Sequence, residues 1–175
     1  MNRQRYIRII STAWGVGGVL LLVGYAIVRL LPFAAGMFTH TLSWWQWLIF
    51  AAWGFYMAYS EGYIAFYKLF CPRAVARAWY LGSLATVTPT RRILAPLFCM
   101  GYFGAPRRRM ITAYALTAGI ITLIIGIHFV PQPWRGIIDG GVILGLASGF
   151  IAQVAWIYRA LRTPDALSPI NPEVR

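Results

Sequence analysis

The sequence predicts an all-α integral membrane protein with four transmembrane helices. Hydrophobic residues make up 59% of the 175 positions, charged residues only 11%, and the mean hydropathy is +0.63. Soluble domains carry roughly 25% charged residues, so this composition excludes an ordinary soluble domain. Four long apolar stretches follow one another, separated by basic segments, and they define one transmembrane domain over residues 1–163.

The first apolar stretch, residues 9–31, exceeds the ~20 residues that a helix needs to cross the hydrocarbon core. It is also longer than the ~7–15-residue apolar region of a cleaved signal peptide, which predicts a retained anchor. Pro32 is expected to end this helix, because proline cannot donate a backbone hydrogen bond. Arg29 lies near that end, where its side chain is expected to reach the headgroups.

The second span is predicted over residues 44–70, with tryptophans near its start and Tyr63, Tyr67 and Lys68 near its end, as in interfacial belts. At 100° per residue the stretch divides into two faces. The small-residue face is expected to carry Glu61, the one acidic residue before Asp139, with Lys68 on the same side. The opposite face is predicted to be aromatic, for packing and lipid contact or, as the alternative, for stacking of a pigment or quinone: Tyr56, Tyr59, Tyr63, Phe66 and Phe70.

Residues 72–106 are predicted to form an interfacial or re-entrant segment on the cytoplasmic side. Residues 72–87 place Arg73 and Arg77 one turn apart, with an apolar side at Val75, Trp79 and Leu84, which suits a helix on the membrane surface. Residues 93–106 are apolar but too short to span. An uninterrupted helix is not expected there because of Pro96, Gly101, Gly104 and Pro106.

The third and fourth spans are predicted over residues 111–130 and 137–158. Gly141, Gly145 and Gly149 recur every four residues, and such small residues allow close helix packing in lipid. This ridge predicts tight packing on a neighbouring helix, in the same chain or in a second copy. Residues 164–175 form a polar tail predicted to be disordered, with prolines at Pro164, Pro169 and Pro172.

The distribution of basic residues predicts the orientation. Of the 16 Lys and Arg residues, all but Arg29 and Arg135 fall in the N-terminus, the middle segment or the C-terminus. Short loops rich in Lys and Arg remain cytoplasmic. The predicted location is the inner (plasma) membrane of a bacterium, with both termini on its cytoplasmic side. Anionic phospholipid, rather than nucleic acid, is the expected partner of these residues, through Arg92, Arg107, Arg108 and Arg109.

Glu61 is the strongest single candidate for chemistry, because an ionised carboxylate is unfavourable in a bilayer without a partner. The expected partners are basic residues near the cytoplasmic face: Lys68, Arg73, Arg77 and Arg91. A structural ion pair, a proton or cation relay, and a ligand-binding role all remain open for Glu61.

The outer side carries a second cluster of polar residues: His40, His128, Arg135 and Asp139. Arg135 and Asp139 are four positions apart, which favours an ordinary ion pair. No metal-ligand spacing accompanies the histidines, so no cofactor is predicted, although haem, metal and quinone remain open. Cys71 and Cys99 form no C-x-x-C pair and are expected to be free thiols.

The sequence contains no phosphate-binding loop, nucleophile elbow or paired catalytic carboxylates. The expected function is therefore non-enzymatic: a membrane binding or assembly protein, such as an accessory subunit, that holds anionic lipid, a partner protein or a second copy. The alternative is a small oligomeric transporter or channel with Glu61 as its relay. A lipid-headgroup enzyme is the third hypothesis.

Overall fold

The structure, a computed structural model, describes residues 3–83, 88–163, 167, 168 and 170–174, and for residues 3–5, 7 and 8 it describes the backbone alone. The predicted all-α class is confirmed: 84% of these residues are helical and no strand occurs among them. Several positions used in the predictions lie outside the described residues or side chains: Arg3, Arg5, Arg8, Leu84, Pro164, Pro169 and Arg175.

Seven α-helices, one 3₁₀-helix and one π-helical segment follow along the described chain. The longer α-helices are α1 (Arg3–Ala35), α2 (Trp44–Met57), α3 (Cys71–Ser83), α6 (Arg107–Ile127) and α7 (Trp134–Arg162). Two short α-helices, α4 (Pro89–Ile93) and α5 (Ala95–Met100), lie in the middle segment. The 3₁₀-helix is Gly36–Thr39, and the π-helical segment is Ala58–Phe70.

Three helical stretches of the described chain are long and apolar enough to cross a membrane: Ile9–Thr39, Arg107–Ile127 and Trp134–Arg162. The predicted second span, residues 44–70, is not one α-helix. It is α2 for 14 residues and then the π-helical segment for 13. The count of four transmembrane helices is therefore not established, because this stretch changes its hydrogen bonding at Ala58.

The predicted end of the first span at Pro32 is wrong. Helix α1 includes Pro32 and continues to Ala35, and the 3₁₀-helix then extends it to Thr39. Proline inside a helix removes one backbone donor, which is tolerated in apolar helices when neighbouring groups compensate. At the next turn Ser43 caps α2 through a capping box with Gln46, whose side chain accepts a hydrogen bond from the Ser43 amide at 2.8 Å.

Helix α7 is the centre of the assembly. It packs antiparallel to α1 on one side and parallel to α2 and the π-helical segment on another. Its glycines allow the close approach: a Cβ at Gly149 would lie 2.6 Å from Cγ of Phe66, and one at Gly145 would lie 3.2 Å from the carbonyl oxygen of Met57. A Cβ at Gly141 would collide with the Trp53 ring. The glycine ridge thus faces a neighbour within the same chain.

The π-helical segment ends at a proline, which explains part of its geometry. Pro72 has no backbone N–H and its ring crowds the carbonyl four residues earlier, so regular α-helical bonding cannot continue through it. The amide of Cys71 instead donates to the carbonyl of Phe66, five residues back. The carbonyl of Tyr67 accepts a hydrogen bond from Nε1 of Trp156 on α7 at 2.9 Å. A side chain of α7 thereby stabilises the widened turn.

The main core lies at one end of the assembly, between α1, α3 and α5. Val16, Val75 and Phe98 are among its buried side chains. Helix α1 approaches α5 closely because Gly18 leaves room for the ring of Pro96. Two hydrogen bonds join α1 to the neighbouring helices α3 and α4: Thr12 Oγ1 donates to the carbonyl of Ala78 at 3.1 Å, and Trp14 Nε1 donates to the carbonyl of Ile93 at 3.0 Å.

The prediction of a surface-lying helix after Pro72 is wrong for α3. Val75, Ala78 and Leu81 are fully buried, Trp79 is half-buried, and Arg77 is 3% exposed. Helix α3 is covered on several sides because α1, α5 and α7 all pack against it.

The interruptions predicted for residues 93–106 do occur. Gly101 has a φ of 89° and ends α5 in a Schellman motif, with Tyr102 N–H donating to the carbonyl of Leu97 at 3.1 Å.

Helix α6 stands apart from the other helices. Its 21 residues include none that is buried, and no atom lies within 4 Å of a Cβ placed on Gly119 or Gly126. Its contacts lie in its first half: Tyr102 shares a hydrogen bond with Thr117, and the Tyr102 and Tyr114 rings meet edge to face at 5.3 Å. An apolar helix exposed over its whole length is typical of contact with lipid or with another chain.

Candidate functional site

The candidate site lies at the basic end of the assembly, the end at which the π-helical segment and α7 finish and α6 begins. Parallel packing brings the ends of the π-helical segment and α7 together, since Trp156 of α7 contacts Tyr67 of the π-helical segment. The exposed basic residues of this end are Lys68, Arg107, Arg108, Arg109, Arg159 and Arg162, and the half-buried ones are Arg73, Arg91 and Arg92.

Arg77 is the buried centre of this end. All five of its N–H groups point at backbone carbonyls: Nε donates to Phe98 at 2.7 Å, Nη2 to Phe103 at 2.9 Å and Gly104 at 3.2 Å, and Nη1 to Glu173 at 3.1 Å and Pro172 at 3.4 Å. Its guanidinium carbon also lies 4.4 Å from the centre of the Phe98 ring. Burial lowers the pKa of Arg77, and Cys99 and Glu173 act in the opposite direction. The hydrogen bonds of Arg77 therefore join α3 to three other segments: α5, the turn at residues 103–104 and the C-terminal tail.

The predicted disorder of the tail does not hold for its described residues. Leu167 belongs to the core at 9% exposure, and the Glu173 carboxylate forms an ion pair with Arg109, with Oε2 2.6 Å from Nε. Glu173 holds a positive φ of 49°. The physical reason is that Arg77 and Arg109 supply hydrogen-bond donors to the tail, and composition alone does not reveal them.

A cavity of about 370 Å³ opens between the end of the π-helical segment, α7 and the tail. Lys68, Arg73, Trp156 and Asn171 are among its lining residues. Lys68 Nζ lies 4.7 Å from the centre of the Tyr63 ring, and Arg73 Nε donates to the carbonyl of Leu69 at 2.6 Å. Arg159 lies beside the cavity, 4.9 Å from the Trp156 ring.

The predicted ion pair of Glu61 is absent from the described residues, where Arg135–Asp139 and Arg109–Glu173 are the ion pairs formed. Glu61 is exposed, and its Cβ lies 3.4 Å from a Cβ placed on Gly145. Its four expected partners are engaged elsewhere: Lys68 with Tyr63, Arg73 with Leu69, Arg77 with five carbonyls and Arg91 with the Phe98 ring at 5.8 Å.

The π-helical geometry explains why Lys68 misses Glu61. In an α-helix seven positions make almost two full turns, so both side chains would share one face. A π-helix holds more residues per turn, so seven positions fall well short of two turns. The same change alters the predicted aromatic face. Phe66 packs on Gly149 of α7, whereas Tyr59, Tyr63 and Tyr67 stack in succession with ring centres 5.9 and 5.7 Å apart.

The opposite end holds the remaining predicted residues. Arg135 Nε lies 3.6 Å from Oδ2 of the buried Asp139, and the Arg135 guanidinium stacks 3.9 Å from the Phe33 ring. His40 and His128 are both exposed, and His128 contacts Phe129 edge to face. Within the described residues no group of three His, Cys, Asp or Glu side chains could hold a metal. The structure thus brings Arg135 and Asp139 together and joins neither histidine to them.

Sequence reasoning missed two residues of the basic end, Trp156 and Asn171. Trp156 was not singled out because tryptophans near a span end are usually interfacial. Pro72 is the sequence feature that could have indicated this contact. A proline that follows a helix leaves an earlier carbonyl without its backbone donor, so that a side chain can donate to it instead. Nothing in the sequence around Asn171 indicates that the tail folds back onto the bundle.

The chain was compared with protein-family models, with curated proteins and with solved structures, and none of these comparisons finds a match.

Proposed function

We propose that this chain is a non-enzymatic membrane protein that binds anionic phospholipid at its basic end and assembles with a second copy or a membrane partner. The observation that carries the proposal is the concentration of exposed Lys and Arg side chains at one end of an otherwise apolar surface. Basic groups next to membrane-spanning helices are attracted to anionic lipid by about 1 kcal/mol each.

The proposal includes four membrane crossings with both termini in the bacterial cytoplasm. Helix α2 covers about 21 Å at 1.5 Å per residue, so the π-helical segment supplies the rest of a hydrocarbon core of about 30 Å. Tryptophans at 44, 45 and 134 cluster at the opposite end, where the rings of Trp45 and Trp134 lie 5.4 Å apart. This distribution supports two interfaces, with the basic end inside.

Two features support a protein partner. Helix α6 presents its whole length without a neighbouring helix among the described residues. Glu61 is exposed on the proposed second span and has no ion-pair partner in the described part of the chain. A carboxylate within a bilayer is usually directed at a protein or aqueous environment, so we place Glu61 at the assembly interface.

Cysteine labelling tests the orientation. Cys71 is 0% exposed and Cys99 2%, and burial raises the pKa of Cys99 to about 12, although the charge of Arg77 acts in the opposite direction. Near neutral pH both thiols are therefore protonated as well as buried, and we expect neither to react with a membrane-impermeant maleimide. Single cysteines at the exposed Thr41 and Thr163 should then report opposite sides, with Thr163→Cys labelled from the cytoplasm. Labelling of both from one side would contradict the four-span topology.

Lipid retention tests the function. The purified protein is placed in nanodiscs containing equal amounts of dioleoyl-phosphatidylglycerol and dioleoyl-phosphatidylcholine, and retained lipids are counted by native mass spectrometry. We expect enrichment of phosphatidylglycerol that weakens as salt concentration rises, because exposed charges are screened. Equal retention of the two lipids at low salt would overturn the proposed function.

A further inference from the structure

The cavity at the basic end is lined by two cations, Lys68 and Arg73, whose charge suits a phosphate-bearing group. We propose that Lys68 and Arg73 bind the phosphodiester of an anionic phospholipid in this cavity, a discrete site that rests on the proposed function and narrows it to one position. The exposed Arg107 and Arg108 then contribute general attraction to the membrane surface and do not form part of the site.

The cavity is large enough for a headgroup. Its volume of about 370 Å³ lies within the range of about 300–1,000 Å³ that is usual for small-ligand sites. Its walls come from four elements: Lys68 lies in the π-helical segment, Arg73 in α3, Trp156 in α7 and Asn171 in the tail. Side chains from separate elements therefore converge on one cavity.

The two cations have free donors. Among the described residues, Arg73 uses only Nε, for the carbonyl of Leu69, which leaves the four terminal N–H groups of its guanidinium available. Lys68 contacts the Tyr63 ring and has no hydrogen-bond or ion-pair partner in the same part of the chain. A phosphodiester presents two charged oxygens, and arginine binds such a pair with two parallel hydrogen bonds.

The acidic residue of the cavity does not cancel this charge. Glu173 lines the cavity, but its two carboxylate oxygens are held by Arg109, at 2.6 Å from Nε and 3.3 Å from Nη2. The lining therefore keeps the positive charges of Lys68 and Arg73. Arg159 adds a further positive charge nearby, with Nη1 3.5 Å from the Tyr67 hydroxyl.

The π-helical turn brings the two cations to the same cavity. In an α-helix, positions five apart are separated by ~140° around the axis, so Lys68 and Arg73 would point in different directions. Lys68 lies in the π-helical segment and Arg73 in α3, and the widened turn between them reduces this angle, because a π-helix rotates less per residue than an α-helix. Pro72, between them, is also part of the cavity wall and prevents regular α-helical bonding at this point.

The position of the cavity favours a lipid as the source of the phosphate. Trp156 lines it near the end of the apolar part of α7, and Tyr67 of the π-helical segment contacts Trp156, as aromatic residues do at headgroup level. Trp156 offers an apolar surface next to the cations, which suits a molecule that is charged at one end and apolar at the other. A free phosphate ion would use the cations but not this surface.

The test compares two double variants in the nanodiscs described above. Lys68→Gln with Arg73→Gln removes the two cavity charges, and Arg107→Gln with Arg108→Gln removes two exposed charges outside the cavity. We expect the cavity variant to lose phosphatidylglycerol affinity by at least about tenfold, because charge-assisted hydrogen bonds are lost. The matched control should lose less than about threefold. Lys68→Arg with Arg73→Lys, which keeps both charges, should recover most of the binding.

Four outcomes separate the possibilities. If wild-type protein shows no preference for phosphatidylglycerol, the proposed function fails and this inference fails with it. If wild-type protein prefers phosphatidylglycerol but both double variants lose affinity equally, the cavity proposal is overturned while the proposed function stands. If inorganic phosphate or glycerol phosphate, at equal concentration, displaces the lipid, the lipid source is overturned. Selective loss in the cavity variant without such displacement supports the proposal. The cavity variant must also match the wild type in size-exclusion and thermal-unfolding profiles. If it does not, the single variants Lys68→Gln and Arg73→Gln are measured in its place.

Discussion

Replacing Arg77 with alanine is expected to lower the free energy of unfolding by about 3–5 kcal/mol, because several charge-assisted hydrogen bonds, of about 1.5–3 kcal/mol each, are lost together. Five backbone carbonyls, at Phe98, Phe103, Gly104, Pro172 and Glu173, would lose a donor at once. The Phe98 carbonyl is buried, where water cannot replace the lost hydrogen bond, and the other four are partly buried. Equilibrium unfolding in mixed detergent and SDS micelles measures the change.

Arg73→Ala is the matched control for Arg77→Ala. It removes the same side chain one turn away on α3, but Arg73 is half-buried and its one hydrogen bond to a carbonyl is local, to Leu69. We expect a change of less than about 1 kcal/mol there. Arg77→Lys should recover only part of the stability, since an ammonium has three donors and lacks the planar fork. Similar unfolding midpoints for Arg77→Ala and wild type would refute the role assigned to Arg77.

Substituting leucine for Gly141 is the second large effect we expect. The first side-chain carbon would collide with the Trp53 ring, whose Nε1 donates to the carbonyl of Ile138 at 3.2 Å. Because α7 is packed closely against α2 there, neither helix has room to move without losing other contacts. Overpacking of this kind destabilises proteins by about 1–3 kcal/mol, and the rigid indole ring places this variant at the upper end. The same micelle unfolding assay reports it.

Gly119→Leu provides the comparison within the same protein. Gly119 lies on α6, and no atom lies within 4 Å of a Cβ placed there. Leucine is favoured over glycine both in a helix and in lipid, so this substitution should leave stability unchanged or slightly increased. If Gly119→Leu proved as destabilising as Gly141→Leu, α6 would have to pack on a helix in the assembled protein. A neutral Gly141→Leu would contradict the contact between α7 and α2.

The Arg77 experiment also bears on the lipid site. Arg77 donates to the carbonyls of Pro172 and Glu173, and Glu173 and Asn171 line the cavity that holds Lys68 and Arg73. Loss of Arg77 is therefore expected to release the tail wall of the cavity as well as to destabilise the core. Arg77 acts on the proposed site only through the tail, as a positioning residue, and does not itself contact the lipid.

The all-α class, three of the apolar helices and the separation of basic from apolar segments can all be predicted from the sequence. These properties depend on composition and on the period of the helix, which local sequence reports directly. The spacing of Gly141, Gly145 and Gly149 also placed the three residues on one face of α7, because four positions make about one turn. Such features need no knowledge of which distant segments meet.

The partners of the charged residues depend on contacts between distant segments. Arg77 was expected at a membrane surface, but it is buried because carbonyls from α5, the following turn and the tail converge on it. Lys68 was expected beside Glu61, but the π-helical turn before Pro72 directs it into the cavity with Arg73. Each difference has a physical reason. Arg77 is buried by hydrogen bonds to residues far from it in sequence. Lys68 is displaced because the π-helical segment changes the number of residues per turn on which the predicted faces rely.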